Sequence, residues 1–377
     1  MTALPRVLVA GTGLIGTSVA LALREKGTEV WLSDADPATA KLAADLGAGT
    51  VVADLRDAKG IADIAVLAMP PAAVGPQLAF AQECAVADVY TDVASVKVLP
   101  VQQARSLHCD LASYVPGHPL AGRERQGPAA AQADLFLGRT WALCPLPETS
   151  PDAVGAVAAL AGACGADPVI TDPVTHDQWV ALVSHAPHLV AAAMAARLAP
   201  PAVPADALGL AGQGLRDVTR VAAGDSALWT QILSANAGPV AEVVAAVAAD
   251  LAAAARLLAG LSGAGEPAAR AGEGGTAGDG PGVTELLDRG IAGVGRIPGK
   301  HGGKPRNFTV VQVVIADRPG ELARLFNAAG AAGVNIEDIR LEHSPGLPVG
   351  VAELSVRPGQ TGILLDTMEA GGWPVRR

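Results

Sequence analysis

The sequence predicts an α/β chain in three folded parts: a doubly wound parallel sheet, an all-helical segment and a small α+β domain. Three observations predict it. Short β-branched runs alternate with helix-like runs over residues 1–172, the strand signal disappears over 173–261, and alternation returns over 308–377. Strand–helix alternation packs as a parallel sheet covered on both faces, because each crossover must return over the sheet.

The runs at 7–10, 29–32, 64–68, 89–92 and 140–144 read as buried strands. Between the first strand and a helix beginning at Leu14 lies Gly11-Thr-Gly13-Leu14-Ile15-Gly16. A G-x-G-x-x-G sequence is weak alone, but in a strand–turn–helix context it is a Rossmann-type dinucleotide-binding loop. Gly11 permits the tight turn, Gly13 lets a pyrophosphate approach the backbone, and Gly16 lets helix and strand pack closely. The helix N-terminus offers N–H groups to the phosphates. Asp34 follows the second strand 18 residues after Gly16, the place for an acid that accepts from the adenosine ribose. No Lys or Arg follows it before Lys41, and a carboxylate repels a 2′-phosphate, so NAD is expected over NADP. Asp36 stands before Pro37 as a helix cap and is the lesser ribose candidate.

The helical segment holds Ala-rich stretches at 189–198 and 240–258 that are apolar around most of their circumference. Helices so poor in exposed charge are expected to bury a second face against another subunit, which makes this an all-helical dimerisation domain. Residues 262–282 are mostly Gly, Ala, Pro and Glu without large apolar groups, the start of a flexible linker to 307 that holds a short helical piece at 283–288 and a basic glycine-rich run with Arg296, Lys300, Lys304 and Arg306, either solvated or in contact with another domain. From 308 to 377 the order is strand (309–316), helix (320–332), strands (334–341 and 349–356), helix (362–370) and a short last strand (373–377). That is the ferredoxin-like βαββαβ arrangement.

The chain has 377 residues and a formal charge of −10, from 27 Lys+Arg against 37 Asp+Glu. An acidic balance without a basic stripe argues against nucleic acid and against an anionic membrane surface. The most apolar stretch, 240–261, carries Glu242, Asp250 and Arg256, which favours a packed helix over a membrane span. Cys84, Cys109, Cys144 and Cys164 form no C-x-x-C pair, and the glycine loop begins by residue 11, leaving no room for a signal peptide. Reduced thiols in a soluble, cytoplasmic protein are the expectation.

A nicotinamide enzyme that oxidises an alcohol needs a group to take the hydroxyl proton, and neutral imidazole suits that near pH 7. His118, in Tyr-Val-Pro-Gly-His-Pro-Leu-Ala-Gly, sits in a loop after a strand, where such sheets bind ligands; on this alone it is equally a structural loop histidine. Ser95, in Thr-Asp-Val-Ala-Ser-Val-Lys, lies at the same edge and either orients an imidazole or caps a helix. His185 and His188 share a helix face, but no third ligand is suggestively spaced and Pro187 disturbs the turn, so no metal is expected. Arg216 and Arg220, four apart, either grip a carboxylate with bidentate forks or form a solvated helix face.

Taken together these stretches resemble the prephenate/arogenate dehydrogenase family of tyrosine biosynthesis. Its signatures occur in order as Gly11-Thr-Gly-Leu-Ile-Gly-Thr-Ser, Thr91-Asp-Val-Ala-Ser-Val-Lys, Gly117-His-Pro-Leu-Ala-Gly, Thr175-His-Asp, Ser184-His-Ala-Pro-His and Arg216-Asp-Val-Thr-Arg with Trp229. The resemblance implies an NAD(P)-linked oxidative decarboxylation: hydride leaves C4 of prephenate, and loss of the ring carboxylate gives 4-hydroxyphenylpyruvate. It implies His118 as the catalytic imidazole, Ser95 as its hydrogen-bonding partner, and Arg220 on a substrate carboxylate. His188, Arg216 and Asp217 would line the pocket, with Glu124 near its mouth. At 123–126 the chain reads Arg-Glu-Arg-Gln, where the family often has small or hydroxyl residues at the first and last positions.

The tail is similar to an ACT domain, through Asp317-Arg-Pro-Gly-Glu-Leu and Gly333-Val-Asn-Ile-Glu-Asp-Ile. That implies feedback control, with L-tyrosine as the effector near Gly320 and Asn335, or an assembly role. Competing readings are another NAD-dependent hydroxyacid dehydrogenase and a non-catalytic amino-acid sensor that binds NAD. Prephenate and arogenate differ only by a keto or amino group, and Asp177 either pairs with arogenate's ammonium or is a helix-start residue, so the sequence does not choose between the two substrates.

Overall fold

The structure, a computed structural model, describes residues 5–122, 126–199, 205–261, 281–297, 308–343 and 348–376. The chain divides into two compact units, Met1–Ala249 and Asp250–Arg377. The first unit opens with β1 (Val7–Ala10), α1 (Leu14–Glu25), β2 (Val30–Ser33), α2 (Pro37–Asp45), β3 (Thr50–Val51), β4 (Ile64–Leu67), α3 (Pro71–Glu83), β5 (Val89–Asp92), α4 (Val98–Ser106) and β6 (Tyr114–Val115). These six strands form one sheet in the order β3-β2-β1-β4-β5-β6, and every pairing is parallel. The order reverses between β1 and β4, which is the crevice where such sheets take ligands.

Both faces of the sheet are covered, as its apolar strands require. β1 and β4 are buried along their full lengths. Val19 and Leu23 of α1 pack on one face and Val74 and Leu78 of α3 on the other. Each such side chain contributes about 1.5–3 kcal/mol by leaving water.

A second, three-stranded sheet follows from β7 (Gly117–Pro119), β8 (Thr140–Leu143) and, after α5 (Pro151–Ala163), β9 (Asp167–Ile170). Alternation does not predict β3, β6, β7 or β9. The first three are two or three residues long, and β9 is an edge strand exposed throughout that contains Pro168. His118 therefore stands on a strand, paired opposite Ala142, rather than in a loop.

The helical part runs through α6 (Pro173–Val180), a π turn (Ala181–His185), α7 (Ala186–Ala196), α8 (Ala205–Leu208), α9 (Gln213–Thr219), a 3-10 turn (Arg220–Ala223), α10 (Ser226–Ala235) and α11 (Ala237–Leu261). Pro187 has no N–H for an i→i−4 bond, and the helix widens into the π turn just before it. Pro173–Ala196 and Ala237–Leu261 are long and apolar enough to cross a membrane by length and composition. The first carries buried His176, Asp177, His185 and His188, which belong to a polar site within the unit. In α11 only Val240 is buried.

In the second unit α12 (Pro281–Val294) precedes β10 (Thr309–Ala316), α13 (Glu321–Ala331), β11 (Asp338–His343), β12 (Val349–Val356), α14 (Thr361–Ala370) and β13 (Val375–Arg376). The antiparallel sheet has the order β11-β12-β10-β13, which is the ferredoxin-like βαββαβ topology. One face of β10 and β12 is buried in strict alternation, under Leu325, Ala329, Leu364 and Met368. The strand expected from 334 begins at Asp338, because Val334 is drawn into the core just after Gly333 turns at φ +70°. Trp373 likewise packs in the core and only Val375–Arg376 pairs as a strand. Within the span expected as a linker, residues 281–294 form α12, longer than the helical piece expected at 283–288, while 262–280 and 298–307, with Lys300, Lys304 and Arg306, lie outside the described residues.

Candidate active site

Gly11 sits at φ +98°, and a Cβ there would lie 2.2 Å from the Ala68 carbonyl oxygen at the end of β4. A Cβ on Gly16 would lie 1.9 Å from the Gly11 carbonyl oxygen. Around Gly13, by contrast, nothing lies within 4 Å of a Cβ position, and Gly13 caps α1 without any side-chain hydrogen bond. Backbone N–H groups at a helix start thus face open space beside the crevice, with Leu14 and Ile15 partly exposed there. The cradle fits a dinucleotide pyrophosphate.

Asp34 holds this loop. Its Oδ2 accepts from Thr12 N at 2.6 Å and from Thr12 Oγ1 at 3.0 Å, and its Oδ1 accepts from Asp36 N at 2.9 Å. The carboxylate stays partly exposed at the end of β2. Asp36 caps α2, accepting from Ala38 N and Thr39 Oγ1, which lower its pKa.

At the same edge, beyond β5, a polar cluster is buried beneath His118. Lys97 and Asp92 are fully buried and ion-paired, and the ammonium also donates to the Gly117 carbonyl. Asp92 further accepts from the Tyr114 hydroxyl at 2.6 Å and from Ala94 N at 2.8 Å. Burial and the Asp92 charge push the Tyr114 phenol far up, so Tyr114 keeps the proton it donates to Asp92. Losing one partner of such an ion pair leaves an uncompensated charge, at about 3–5 kcal/mol. Gly117 is closely hemmed: a Cβ would lie 2.7 Å from the Asp92 carbonyl oxygen. Lys97 and Asp92 therefore clamp the strand that presents His118.

His118 is partly exposed, and its Nδ1 lies 2.9 Å from Nε2 of His176, which is 2% exposed. His176 Nδ1 lies 2.7 Å from Asp177 Oδ1. Burial, then His176, Lys97 and His185, hold the His118 pKa well below that of free imidazole, so the ring is neutral at neutral pH. A neutral imidazole at a ligand edge can accept a proton.

Asp177 is not available for a substrate ammonium. It is 2% exposed and accepts from the Lys97 and Val98 N–H groups at 2.8 and 2.9 Å, capping α4. Ser95 is partly exposed beyond β5, and no hydrogen bond of its hydroxyl occurs among the described residues; the partner of His118 is His176.

His188 stacks on Trp229 with centroids 3.5 Å apart, and a Cβ on Gly224 would lie 2.5 Å from the Trp229 indole nitrogen. His185 is tied to Asn236 at 3.1 Å, and burial brings its pKa down to about 4. These histidines thus have separate partners, and no group of three metal-ligating side chains occurs among the described residues. Arg216 on α9 and Arg220 in the following turn are exposed on segments packed against α7, and Asp217 accepts from Gln213. Glu124, with Arg123 and Arg125, lies outside the described residues.

Sequence reasoning singled out neither His176, Lys97, Asp92, Tyr114 nor Asn236 as site residues. The signal for the first three lay inside the quoted Thr-Asp-Val-Ala-Ser-Val-Lys and Thr-His-Asp stretches; nothing local marks Tyr114 or Asn236. A cavity of about 510 Å³ lined by Asp63, Asp88, Asp110 and Asp152 lies at the opposite edge, near the starts of β4 and β5. The glycine cradle and His118 stand instead at the carboxyl edge, which carries the switch point where such sheets take ligands.

The family model described as prephenate dehydrogenase, nucleotide-binding domain, matches residues 19–170, and that described as prephenate dehydrogenase, dimerization domain, matches 172–266. The chain is 38% identical over 369 residues to a probable prephenate dehydrogenase, NovF, of Streptomyces niveus, covering 97% of this chain and 98% of that one. It is 32% identical over 246 residues to the prephenate dehydrogenase of Bacillus subtilis, covering 61% of this chain and 64% of the relative. Among solved structures, the arogenate dehydrogenase of Synechocystis is similar with a TM-score of 0.61 and 26% identity, over 77% of this chain and 98% of that one. With a likeness that runs over nearly its whole length, the chain belongs to the prephenate dehydrogenase family.

Proposed function

We propose that this chain catalyses the NAD-dependent oxidative decarboxylation of prephenate to 4-hydroxyphenylpyruvate, the step that commits the ring to L-tyrosine. The observation that carries the reading is a neutral, partly exposed His118 held at the same sheet edge as an open glycine cradle. His118 accepts the C4 hydroxyl proton, and Ser95 hydrogen-bonds the substrate oxygen beside it. Bound NAD supplies the acceptor for the hydride that leaves C4. As the C1–carboxylate bond breaks, its electron pair enters the ring, CO₂ departs, and the proton on His118 returns to the phenolate oxygen. Gly11, Gly13, Leu14, Ile15 and Gly16 hold the pyrophosphate and Asp34 the adenosine ribose. Arg220 binds a substrate carboxylate, with Arg216, His188 and Glu124 shaping the pocket.

The same reading divides the chain into a cofactor domain (1–172), a helical substrate and dimerisation domain (173–261), a linker (262–307) and an ACT-like domain (308–377). The exposed apolar length of α11 supports a homodimer through the helical domain, and the likeness to biosynthetic dehydrogenases supports a place in the cytoplasm. In the ACT-like domain, Gly320 starts α13 at φ +86° beside a recess of about 70 Å³ lined by Asp317, Arg318 and Glu321. That is too small for an amino acid by the ordinary scale of ligand sites, so L-tyrosine would bind between paired copies.

Arogenate is the second reading, favoured by the likeness to the Synechocystis enzyme. The test is steady-state NADH formation with each substrate, with NAD and with NADP, repeated with L-tyrosine. Turnover of prephenate with NAD is expected. Absence of turnover with either substrate, from folded protein that binds NAD, would overturn the assignment.

A further inference from the structure

Asp177 is the fixed point of a chain of hydrogen bonds that ends at His118. Its two oxygens accept from Lys97 N at 2.8 Å and Val98 N at 2.9 Å, at the start of a helix whose own N-cap residue, Lys97, supplies no side-chain cap. Both carboxylate oxygens are thus committed as acceptors of backbone N–H groups. An ionised carboxylate only accepts, so the 2.7 Å contact with His176 requires the proton on His176 Nδ1. With that one ring proton placed on Nδ1, the Nε2 of His176 is bare, and the 2.9 Å contact with His118 requires the proton on His118 Nδ1. What remains for chemistry is the lone pair on His118 Nε2, which has no hydrogen-bond partner among the described residues.

We propose that His176 and Asp177 are positioning residues that hold His118 in the Nδ1–H tautomer and so leave Nε2 free as the base. The inference rests on His118 being the base of the proposed reaction. When the substrate O–H bond breaks and an N–H bond forms at Nε2, His118 becomes a cation whose Nδ1–H already points at His176. The Asp177 carboxylate stands at the far end of the same chain. No proton need reach Asp177; its charge stabilises the imidazolium through the intervening ring. The arrangement is braced from a third side, since Asn236 Nδ2 donates to the Asp177 carbonyl at 2.8 Å. The other ionisable groups around His118 are Lys97 with Asp92, and His185 on the π turn.

The experiment uses the full-length chain with ¹⁵N-labelled histidine at neutral pH, with His118→Asn identifying the His118 signals by their loss. Nitrogen shifts separate a protonated ring nitrogen from a bare one. In the unsubstituted protein the proton is expected on Nδ1 and Nε2 should be bare; a proton on Nε2 overturns the proposal without any variant. In His176→Phe, which keeps a ring but offers no acceptor, the tautomer preference should disappear. There kcat should fall on the order of 10²-fold while KM for the substrate stays within about threefold. Asp177→Asn, whose single amide oxygen cannot serve both backbone donors and His176, should move kcat in the same direction. An unchanged tautomer and unchanged kcat in His176→Phe would also overturn it. Failure of the base assignment looks different: His118→Asn would keep its kcat whatever the tautomer.

Discussion

The glycine loop and the His118 cluster stand at the carboxyl edge of the six-stranded sheet, which His118 reaches from β7 of the second sheet, and are built in opposite ways. The loop is local, with Gly11, Gly13 and Gly16 within six residues and one carboxylate, Asp34, bracing them. The cluster is assembled across the chain: His118 meets His176 over 58 residues, and Lys97 meets Asp177 over 80. A phosphate is held by backbone N–H groups, which neighbouring residues can aim. A base must have its proton placed, and the partner that places it is set by packing between elements.

The comparison breaks first at His118. In His118→Asn, kcat should fall on the order of 10³-fold with NAD affinity little changed, as measured by NADH formation and by NAD titration. A parallel loss of NAD binding would mean that the two halves of the edge are one device. Next is Gly11→Ala, where a side chain must occupy φ +98° against the Ala68 carbonyl. It should cost the fold about 2–3 kcal/mol and weaken NAD binding, seen as a lower Tm and a shifted titration, with His118 still neutral. Retention of wild-type Tm and affinity would show the cradle to be more plastic than its contacts indicate.

A smaller effect is expected from Asp34→Asn. Losing a charged acceptor worth about 1.5–3 kcal/mol should weaken NAD roughly tenfold or more, leave NADP less disfavoured, and leave kcat at saturating cofactor unaltered. An unchanged preference for NAD would remove Asp34 from the ribose.

The last prediction separates the units by pH. Burial lowers the pKa of His185 to about 4 and lowers those of His118 and His188 in the same direction, below the unfolded value of 6.5. The unfolded chain then binds more protons in mild acid. The stability these histidines contribute is present above pH 6.5 and is lost as pH falls toward about 4. In the second unit Glu321 is held down to about 2 chiefly by Arg324, with Arg318 and Trp373 also donating to it. Its contribution is present above 4.5 and lost only as pH falls toward about 2. Calorimetry from pH 7 to 4.5 should lower the first unit's transition while the second's is nearly level. Equal shifts would refute the separation.

Much of this was legible in the residues. Strand–turn–helix context around Gly11 gave the cradle, alternation gave five strands of the first unit and nearly every element of the second, and Asp36 before Pro37 was readable as a cap. What periodicity missed were short strands such as β7, where His118 sits, and the identity of that histidine's partner. Thr175-His-Asp could be quoted as a signature, yet nothing in it says that Asp177 caps a helix 80 residues away.

Near-neighbour rules set the order of strands and helices and the cofactor cradle, because hydrophobic period and glycine conformation act over short stretches of chain, whereas His118 stood out as the candidate base through the family resemblance. Only the tertiary structure decided which side chains are buried together: Lys97 with Asp92 and the Gly117 carbonyl, Asp177 with the start of α4, and His176 against His118. The reason is that a buried polar group must find its partner in three dimensions, and the nearest donor or acceptor in space is seldom the nearest along the chain.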